Sequence, residues 1–223
     1  PQLFKQLLMI AGMERYFQIA RCFRDEDLRA DRQPEFTQLD MEMSFVDQDD
    51  IMALTEKLIA YVFKETLGVD VPVPMARMTW DEAMDKYGSD KPDLRFGMQL
   101  INMNEALQGT QFKVFKDIIE KGGLVKAINV KGYNKIPRRE LDGLVEFVGI
   151  YGAKGLAWII VNDDGTIKSP IAKFFSDEEM QRILAAGKAE KGDVLLFVAD
   201  RKPLVVAAAL GALRLEMGKR LGL

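Results

Sequence analysis

Two segments of alternating side chains, separated by a charged stretch, constrain the fold more than any other feature of the sequence. Bulky and polar residues alternate over residues 16–23, and they alternate again over residues 36–46. Residues 24–34, which lie between them, are almost all charged or polar. Alternation with a period of two is typical of β-strands, whose successive side chains point to opposite faces. The sequence therefore predicts two antiparallel strands joined by a long charged loop.

Helical periodicity surrounds this hairpin. Apolar residues at helical spacing predict a helix over residues 2–10, and a second helix over 47–67 whose first turn is acidic. A third, short helix ends at Tyr87; Thr79 caps it and Glu82 occupies the capping-box position.

The second half of the chain mixes strands and helices. Strands are predicted over 124–130, 156–161 and 193–198, with a hairpin turn at 162–165, and helices over 137–151, 177–186 and 203–221. The polar segment 88–95 marks a change of domain, so we predict one domain over 1–95 and an α+β domain over 96–223.

Composition excludes several kinds of site. The chain has no histidine and a single cysteine, Cys22. Ser-His-Asp triads, Cys-His pairs, His-ligated zinc and internal disulfides are therefore excluded. No apolar run is long enough to span a bilayer, and no secretory signal is present. We expect a cytoplasmic protein that does not bind membranes, and, because the sequence begins at Pro1, a piece of a longer one.

Charge is distributed unevenly. Residues 1–95 contain 12 Lys and Arg against 19 Asp and Glu, whereas residues 96–223 contain 19 against 15. A mildly basic second half is compatible with nucleic-acid binding, and equally with an ordinary solvated surface.

The hairpin places chemically useful groups together. An arginine at the end of a strand, Arg24, can offer a bidentate fork to a phosphate or a carboxylate. On the partner strand, Gln38 and Asp40 alternate onto one face, and a carboxylate there can receive an ammonium group. These features suit a site for ATP and an amino acid. From the pattern alone, a salt-bridged surface hairpin remains the alternative.

The sequence of this segment resembles that of a known family. Residues 23–40, FRDEDLRADRQPEFTQLD, resemble motif 2 of class II aminoacyl-tRNA synthetases, and specifically the bacterial-type aspartyl-tRNA synthetases. Residues 1–9 and 87–95 resemble the same enzymes in the same order. Three further segments, 150–158, 169–174 and 211–223, resemble the GAD domain that is inserted into the bacterial form. The resemblance implies part of the antiparallel-sheet catalytic core of class II synthetases, followed by an inserted α+β domain.

The resemblance assigns roles by position. Arg24 matches the motif 2 arginine that contacts both the α-phosphate and the substrate carboxylate, and it is the one expected catalytic residue. Lys5 is expected to hold the side-chain carboxylate of aspartate. The full aspartate-binding set is Gln2, Leu3, Phe4, Lys5, Arg24 and Asp40, with Gln38 as a neighbour; the ATP-binding set is Arg24, Asp25, Glu26 and Gln33.

The implied activity is that of an aspartate–tRNA ligase. Its substrates are aspartate, ATP and tRNA(Asp), with tRNA(Asn) left open, and the parent enzyme is expected to be a homodimer. Mg²⁺ is expected in the parent with ligands outside this chain, so no metal ligand is predicted here. We expect this chain alone to be inactive, because motifs 1 and 3 are not in it.

Other interpretations stay open. The second half could be a non-enzymatic module that binds tRNA or a protein, or a structural spacer. The segment Ser89–Arg95 is typical of the family, but the sequence assigns it no role.

Overall fold

A computed structural model describes residues 2–27 and 32–223 of the chain. The chain forms two compact units, Pro1–Arg77 and Met78–Leu223. Residues 78–95 pack within the second unit, so the division by packing lies earlier than the predicted boundary after residue 95. The charged tip of the predicted loop, residues 28–31, lies outside the described residues.

The first unit contains the predicted hairpin. Its elements are helix α1 (Gln2–Ile10), strand β1 (Arg15–Phe23), strand β2 (Glu35–Met43) and helix α2 (Gln48–Leu67). Strands β1 and β2 pair antiparallel over their full length, from Arg15↔Met43 to Phe23↔Glu35. Strand β2 is shorter than predicted, because Phe45 adopts a left-handed backbone conformation (φ 58°) that ends the extended run.

Helix α2 begins at a complete capping box. The Asp47 carboxylate accepts hydrogen bonds from the Asp49 and Asp50 amides, and the Asp50 carboxylate accepts one from the Asp47 amide. These bonds satisfy amides that have no partner inside the helix. Gly68 ends the helix in the left-handed conformation, with φ 69°.

The second unit is built on one antiparallel sheet. Its strands are β3 (Ile101–Asn102), β4 (Leu124–Val130), β5 (Ala157–Val161), β6 (Ile167–Lys168) and β7 (Val194–Asp200), in the order β3-β4-β7-β5-β6. Its helices are α3 (Trp80–Tyr87), α4 (Lys113–Glu120), α5 (Arg138–Ile150), α6 (Asp177–Ala186) and α7 (Pro203–Leu221), with a 3-10 turn at Ala172–Phe174.

Both faces of this sheet are buried. Ile128, Ile160 and Leu196 pack into a core with α5 and α7. Their neighbours Ala127, Ile159 and Phe197 pack into a second core with α4 and α6. The unit is therefore a three-layer sandwich, which confirms the predicted α+β class. No helix within the described residues is long and apolar enough to cross a membrane.

The structure differs from the sequence predictions in local details. The two-residue strand β3 and the 3-10 turn were not predicted, because each is too short to show a pattern. Helix α4 was not predicted either, although Phe115, Ile118 and Ile119 lie at helical spacing. Thr79 caps α3 by accepting from the Glu82 amide at 3.2 Å, as predicted. However, the Glu82 carboxylate binds Lys86 at 2.5 Å and accepts no hydrogen bond from the Thr79 amide, so the capping box is incomplete.

The segment that follows α3 is held by one buried arginine on α7. The Arg214 side chain, 1% exposed, donates to the backbone carbonyls of Asp93, Phe96, Gly97 and Met98 at 2.7–3.0 Å. Its guanidinium lies 4.1 Å from the centre of the Phe96 ring. Much of the segment 89–98 is thus fixed against the last helix.

Glycines on α7 let this segment come close. A Cβ atom at Gly211 would lie 2.6 Å from the Gly88 carbonyl oxygen, and a Cβ atom at Gly218 would lie 2.6 Å from the Phe96 ring. The small residues and Arg214 follow one another along one face of the helix. The family-like segments 87–95 and 211–223 are therefore two sides of a single contact.

Candidate active site

The pairing of β1 and β2 sorts their side chains onto two different faces. Residues that lie opposite each other in an antiparallel pair point to the same side. Gln18 lies opposite Asp40, Tyr16 opposite Glu42, and Ala20 opposite Gln38, so these side chains share one mainly polar face. The other face is apolar and mostly exposed within this unit; it contains Phe17, Ile19, Phe23, Leu39 and Met41.

Helix α1 adds a lysine to the polar face. The Lys5 ammonium forms an ion pair with Asp40 and lies 3.4 Å from the Glu42 carboxylate. Lys5, Leu8 and Met9 are the partly buried residues of the helix, at the spacing of one helical stripe. The Ser44 hydroxyl donates to the Met9 sulfur at 3.0 Å. The stripe therefore positions Lys5 over the hairpin.

The Lys5–Asp40 pair is largely shielded, and each partner favours the charged form of the other. The two side chains are 17% and 16% exposed. Hydrogen bonds from Lys5, and next from Gln18, lower the pKa of Asp40. The hydrogen bond to Asp40 raises the pKa of Lys5. At neutral pH the pair is therefore an ammonium and a carboxylate.

Arg24 lies immediately after β1, at the loop end of the same face. Its backbone amide donates to the Pro34 carbonyl at 2.8 Å, which closes the base of the loop. Its guanidinium lies 5.1 Å from the centre of the Phe36 ring and 3.8 Å from Glu26. The side chain is still 57% exposed, so its guanidinium is accessible to a ligand.

Glu26 lies between two arginines. Its second carboxylate oxygen accepts a hydrogen bond from Arg32 at 3.1 Å. Arg24, Glu26 and Arg32 together have two positive charges and one negative charge. This triplet therefore has a net charge of +1, while Asp25 and Asp27 beside it add two negative charges.

The other predicted residues are more scattered. Gln2 precedes Lys5 by three positions on α1, which is one helical turn, but it is exposed. Leu3 and Phe4 are 64% and 62% exposed and lie off the stripe that contains Lys5. Asp25 and Gln33 are exposed residues on the two arms of the loop. The structure therefore brings together Lys5 with Asp40 and Arg24 with Glu26, but not the whole predicted set.

Sequence reasoning gave no role to two residues of the cluster. Gln18 donates a hydrogen bond to Asp40 at 3.1 Å, and Glu42 is the second carboxylate beside Lys5. The alternating pattern already placed Glu42 on the face of Asp40. The pairing register, which aligns Gln18 with Asp40, would have completed the cluster.

Residues 2–27 and 32–223 contain no group of three Cys, Asp or Glu side chains that could hold a metal ion. The site offers ammonium, guanidinium, carboxylate and amide groups. These groups can bind an amino acid and a phosphate, and they can stabilise charge that develops during phosphoryl or nucleotidyl transfer.

Comparison with known proteins decides the family. The sequence profile of "tRNA synthetases class II (D, K and N)" matches residues 1–202. The chain belongs to this family of class II tRNA synthetases. Membership confirms the resemblance that motif 2 suggested.

Relatives within the class II family match the chain from end to end. The "Aspartate--tRNA ligase" of Geobacillus kaustophilus is 59% identical over 224 residues, which cover 100% of this chain and 38% of that protein. The "Aspartate--tRNA(Asp/Asn) ligase" of Heliobacterium modesticaldum is 59% identical, covering 100% of this chain and 36% of that protein. The "Aspartate--tRNA ligase" of Clostridium acetobutylicum is 59% identical, covering 99% of this chain and 37% of that protein. The chain thus spans little more than a third of the length of these relatives.

Proposed function

We propose that this chain supplies one wall of the active site of an aspartate–tRNA ligase. The enzyme would activate aspartate with ATP to aspartyl-adenylate and then transfer the aspartyl group to tRNA. The observation that carries the proposal is the polar face of the hairpin, where Lys5, Asp40 and Glu42 form one cluster and Arg24 and Glu26 a second. The names of three relatives at 59% identity support it.

The placement of the charged groups along the face fits the substrates. Asp40 is proposed to receive the α-ammonium of aspartate, with Gln2 beside it, and Lys5 to hold the side-chain carboxylate. Lys5 already lies between Asp40 and Glu42, so its position is fixed before any ligand arrives. Preorganisation of this kind lowers the cost of ordering a side chain on binding.

The arginine at the loop end of the face suits the nucleotide. Arg24 is proposed to contact the α-phosphate and the reacting carboxylate, while Asp25, Glu26 and Gln33 line the ATP site. As the aspartate carboxylate attacks the α-phosphorus and pyrophosphate leaves, charge builds on the phosphate oxygens. A guanidinium directed at those oxygens stabilises the transition state more than the ground state.

The reaction needs little else from these residues. The attacking carboxylate is already ionised at neutral pH, so the first step needs no general base; this agrees with the absence of histidine from the sequence. The described residues offer no magnesium site, and no step is assigned to a metal ion. Mg²⁺ dependence and the homodimer remain predictions from the resemblance, and the cytoplasmic location remains a prediction from composition. The choice between tRNA(Asp) and tRNA(Asn) stays open.

A chimeric enzyme tests the proposal. The 223 residues of this chain would replace the matching segment of the Geobacillus kaustophilus ligase, and aspartate-dependent pyrophosphate exchange and tRNA charging would be measured. We expect the chimera to be active, and Arg24→Lys to reduce exchange on the order of 10²–10³-fold, as loss of a transition-state contact does elsewhere. Arg21→Lys is the matched control, since Arg21 lies on the opposite face of β1 and pairs with Glu35.

Two results would contradict the proposal. One is a folded chimera that activates another amino acid in preference to aspartate. The other is an Arg24→Lys variant with the same exchange rate as the Arg21→Lys control. The isolated chain is predicted to be inactive in the same assay.

A second function is favoured by one observation. The second unit has its own two-sided core, so it can act as an independent binding module. A gel shift with residues 78–223 and tRNA tests this function. Binding by this unit without any exchange activity from the chimera would favour the module over the ligase.

A further inference from the structure

Asp40 is bound through only one of its two carboxylate oxygens. Both the Lys5 ammonium and the Gln18 amide contact Oδ2, the amide at 3.1 Å. Among the described residues, no hydrogen bond is made to Oδ1. An ionised carboxylate can accept at both oxygens, so Oδ1 can accept a further donor.

The position of Gln18 explains this arrangement. Gln18 lies directly opposite Asp40 in the β1–β2 register, so its amide reaches Asp40 across the strands, while Lys5 approaches from α1. Two donors that converge from different elements on one oxygen fix the rotation of the carboxylate. Without Gln18, the carboxylate is free to rotate and to place both oxygens on Lys5.

We propose that Gln18 is a positioning residue, which holds Asp40 so that Oδ1 stays free for the ammonium group of an amino-acid ligand. The same restraint keeps Asp40 from occupying Lys5 through both oxygens, so donors of Lys5 remain for the ligand carboxylate. Gln18 would therefore strengthen the binding of ligands that have both an ammonium and a carboxylate. The identity of the ligand rests on the proposed function, whereas the restraint on Asp40 does not.

The first test measures the restraint in the 223-residue chain. The carboxyl ¹³C resonance of Asp40 would be titrated by NMR in the wild type and in Gln18→Leu, Gln18→Asn and Gln18→Glu. Gln18 is exposed, so these variants are expected to fold. The pKa of Asp40 should rise in Gln18→Leu, because a donor to the charged form is lost, and rise further in Gln18→Glu, because a like charge is added.

The control is Gln6→Leu, the same change at an exposed α1 residue next to Lys5. It should leave the titration of Asp40 unchanged. A titration that is the same in Gln18→Leu, Gln18→Glu and the control would overturn the proposal.

The second test uses ligands that differ by one group. L-aspartate has the ammonium and both carboxylates, while succinate lacks the ammonium. We expect Gln18→Leu to weaken L-aspartate binding about tenfold, the scale of one hydrogen bond to a charged group. Succinate binding should weaken less, because succinate can lose only the contact with Lys5. Equal weakening for both ligands would refute the ammonium role.

The two tests separate the inference from the proposed function. If the wild-type chain binds neither ligand while the Asp40 titration responds to Gln18, the contact between Gln18 and Asp40 stands and the proposed aspartate site fails. If L-aspartate binds and the Asp40 titration does not respond, the aspartate site stands and the role of Gln18 is refuted.

Discussion

Replacement of Arg214 by methionine should destabilise the second unit strongly. The arginine is 1% exposed and supplies donors to four backbone carbonyls, of residues 93, 96, 97 and 98. Methionine fills similar space but donates nothing. Each buried acceptor that loses its partner costs roughly 1–3 kcal/mol.

The sum of four such losses is an upper limit. Gly97 is exposed, so water can replace part of what is lost, and the variant no longer has to desolvate a guanidinium. We therefore expect a loss of about 3–5 kcal/mol in the free energy of unfolding, within the range for breaking a buried polar network. For a unit of this size, such a loss lowers Tm by roughly 10–15 °C.

Tryptophan fluorescence can follow this unit selectively. Both tryptophans of the chain, Trp80 and Trp158, lie within Met78–Leu223. The matched control is Arg220→Met on the same helix; Arg220 is 31% exposed and pairs with Glu216 and Glu140. Pairs of this kind contribute little, so the control should cost less than about 1 kcal/mol.

Arg214→Lys completes the series. A lysine ammonium is a single point donor and cannot reproduce the planar fork, so most of the loss should remain. Hydrogen exchange should show lower amide protection in residues 93–98 of the Arg214 variants than in the control. If Arg214→Met and Arg220→Met had the same Tm, the assignment of Arg214 as the residue that fixes this segment would be wrong.

Three further predictions follow from single contacts. Gly218→Ala should destabilise the second unit by about 1–3 kcal/mol, because the new Cβ would lie 2.6 Å from the Phe96 ring. Gly143→Ala in α5 should instead stabilise the unit by about 0.5–1 kcal/mol, because its Cβ meets nothing within 4 Å. Urea unfolding measures both changes. The pKa of Asp93 is about 2, mainly because Arg95 donates to it. The ionised Asp93 therefore stabilises the folded state above about pH 4, and this stabilisation is lost as pH falls from about 4 to 2. Asp93→Asn should remove that part of the acid dependence of unfolding, followed by tryptophan fluorescence. If stability depended on pH equally in the variant and the wild type, this prediction would be contradicted. Asp47→Ala should cost the first unit about 0.5–2 kcal/mol through loss of the α2 cap, which amide exchange in the first turn of α2 would detect, with Asp81→Ala in the first turn of α3 as a control.

Local chemistry made the hairpin and the long helices predictable. Alternation gave β1 and β2 because the side-chain period of a strand is two, and the acidic start and final glycine of α2 bounded it within one residue. The same local reasoning failed at β3 and α4. Strand β3 is too short for a periodic pattern, whereas the helical spacing of Phe115, Ile118 and Ile119 in α4 was already present in the sequence.

The candidate site divides in the same way. The sequence alone identified Lys5, Arg24 and Asp40 as residues of interest, through their types and the resemblance to motif 2. It could not tell that Gln18 and Glu42 join Lys5 and Asp40, since that requires the register between two strands and the position of a helix above them.

The segment after α3 shows the limit most clearly. Its sequence resembles the family, but no local pattern explains why the backbone after this polar turn is held in place. The explanation lies more than 100 residues later, where Arg214, Gly211 and Gly218 lie on one face of α7. The sequence determined which residues were present and which helices and strands they form. Only the tertiary structure decided which carbonyls a buried guanidinium would satisfy, because a buried polar group selects its partners by distance in space and not by separation along the chain.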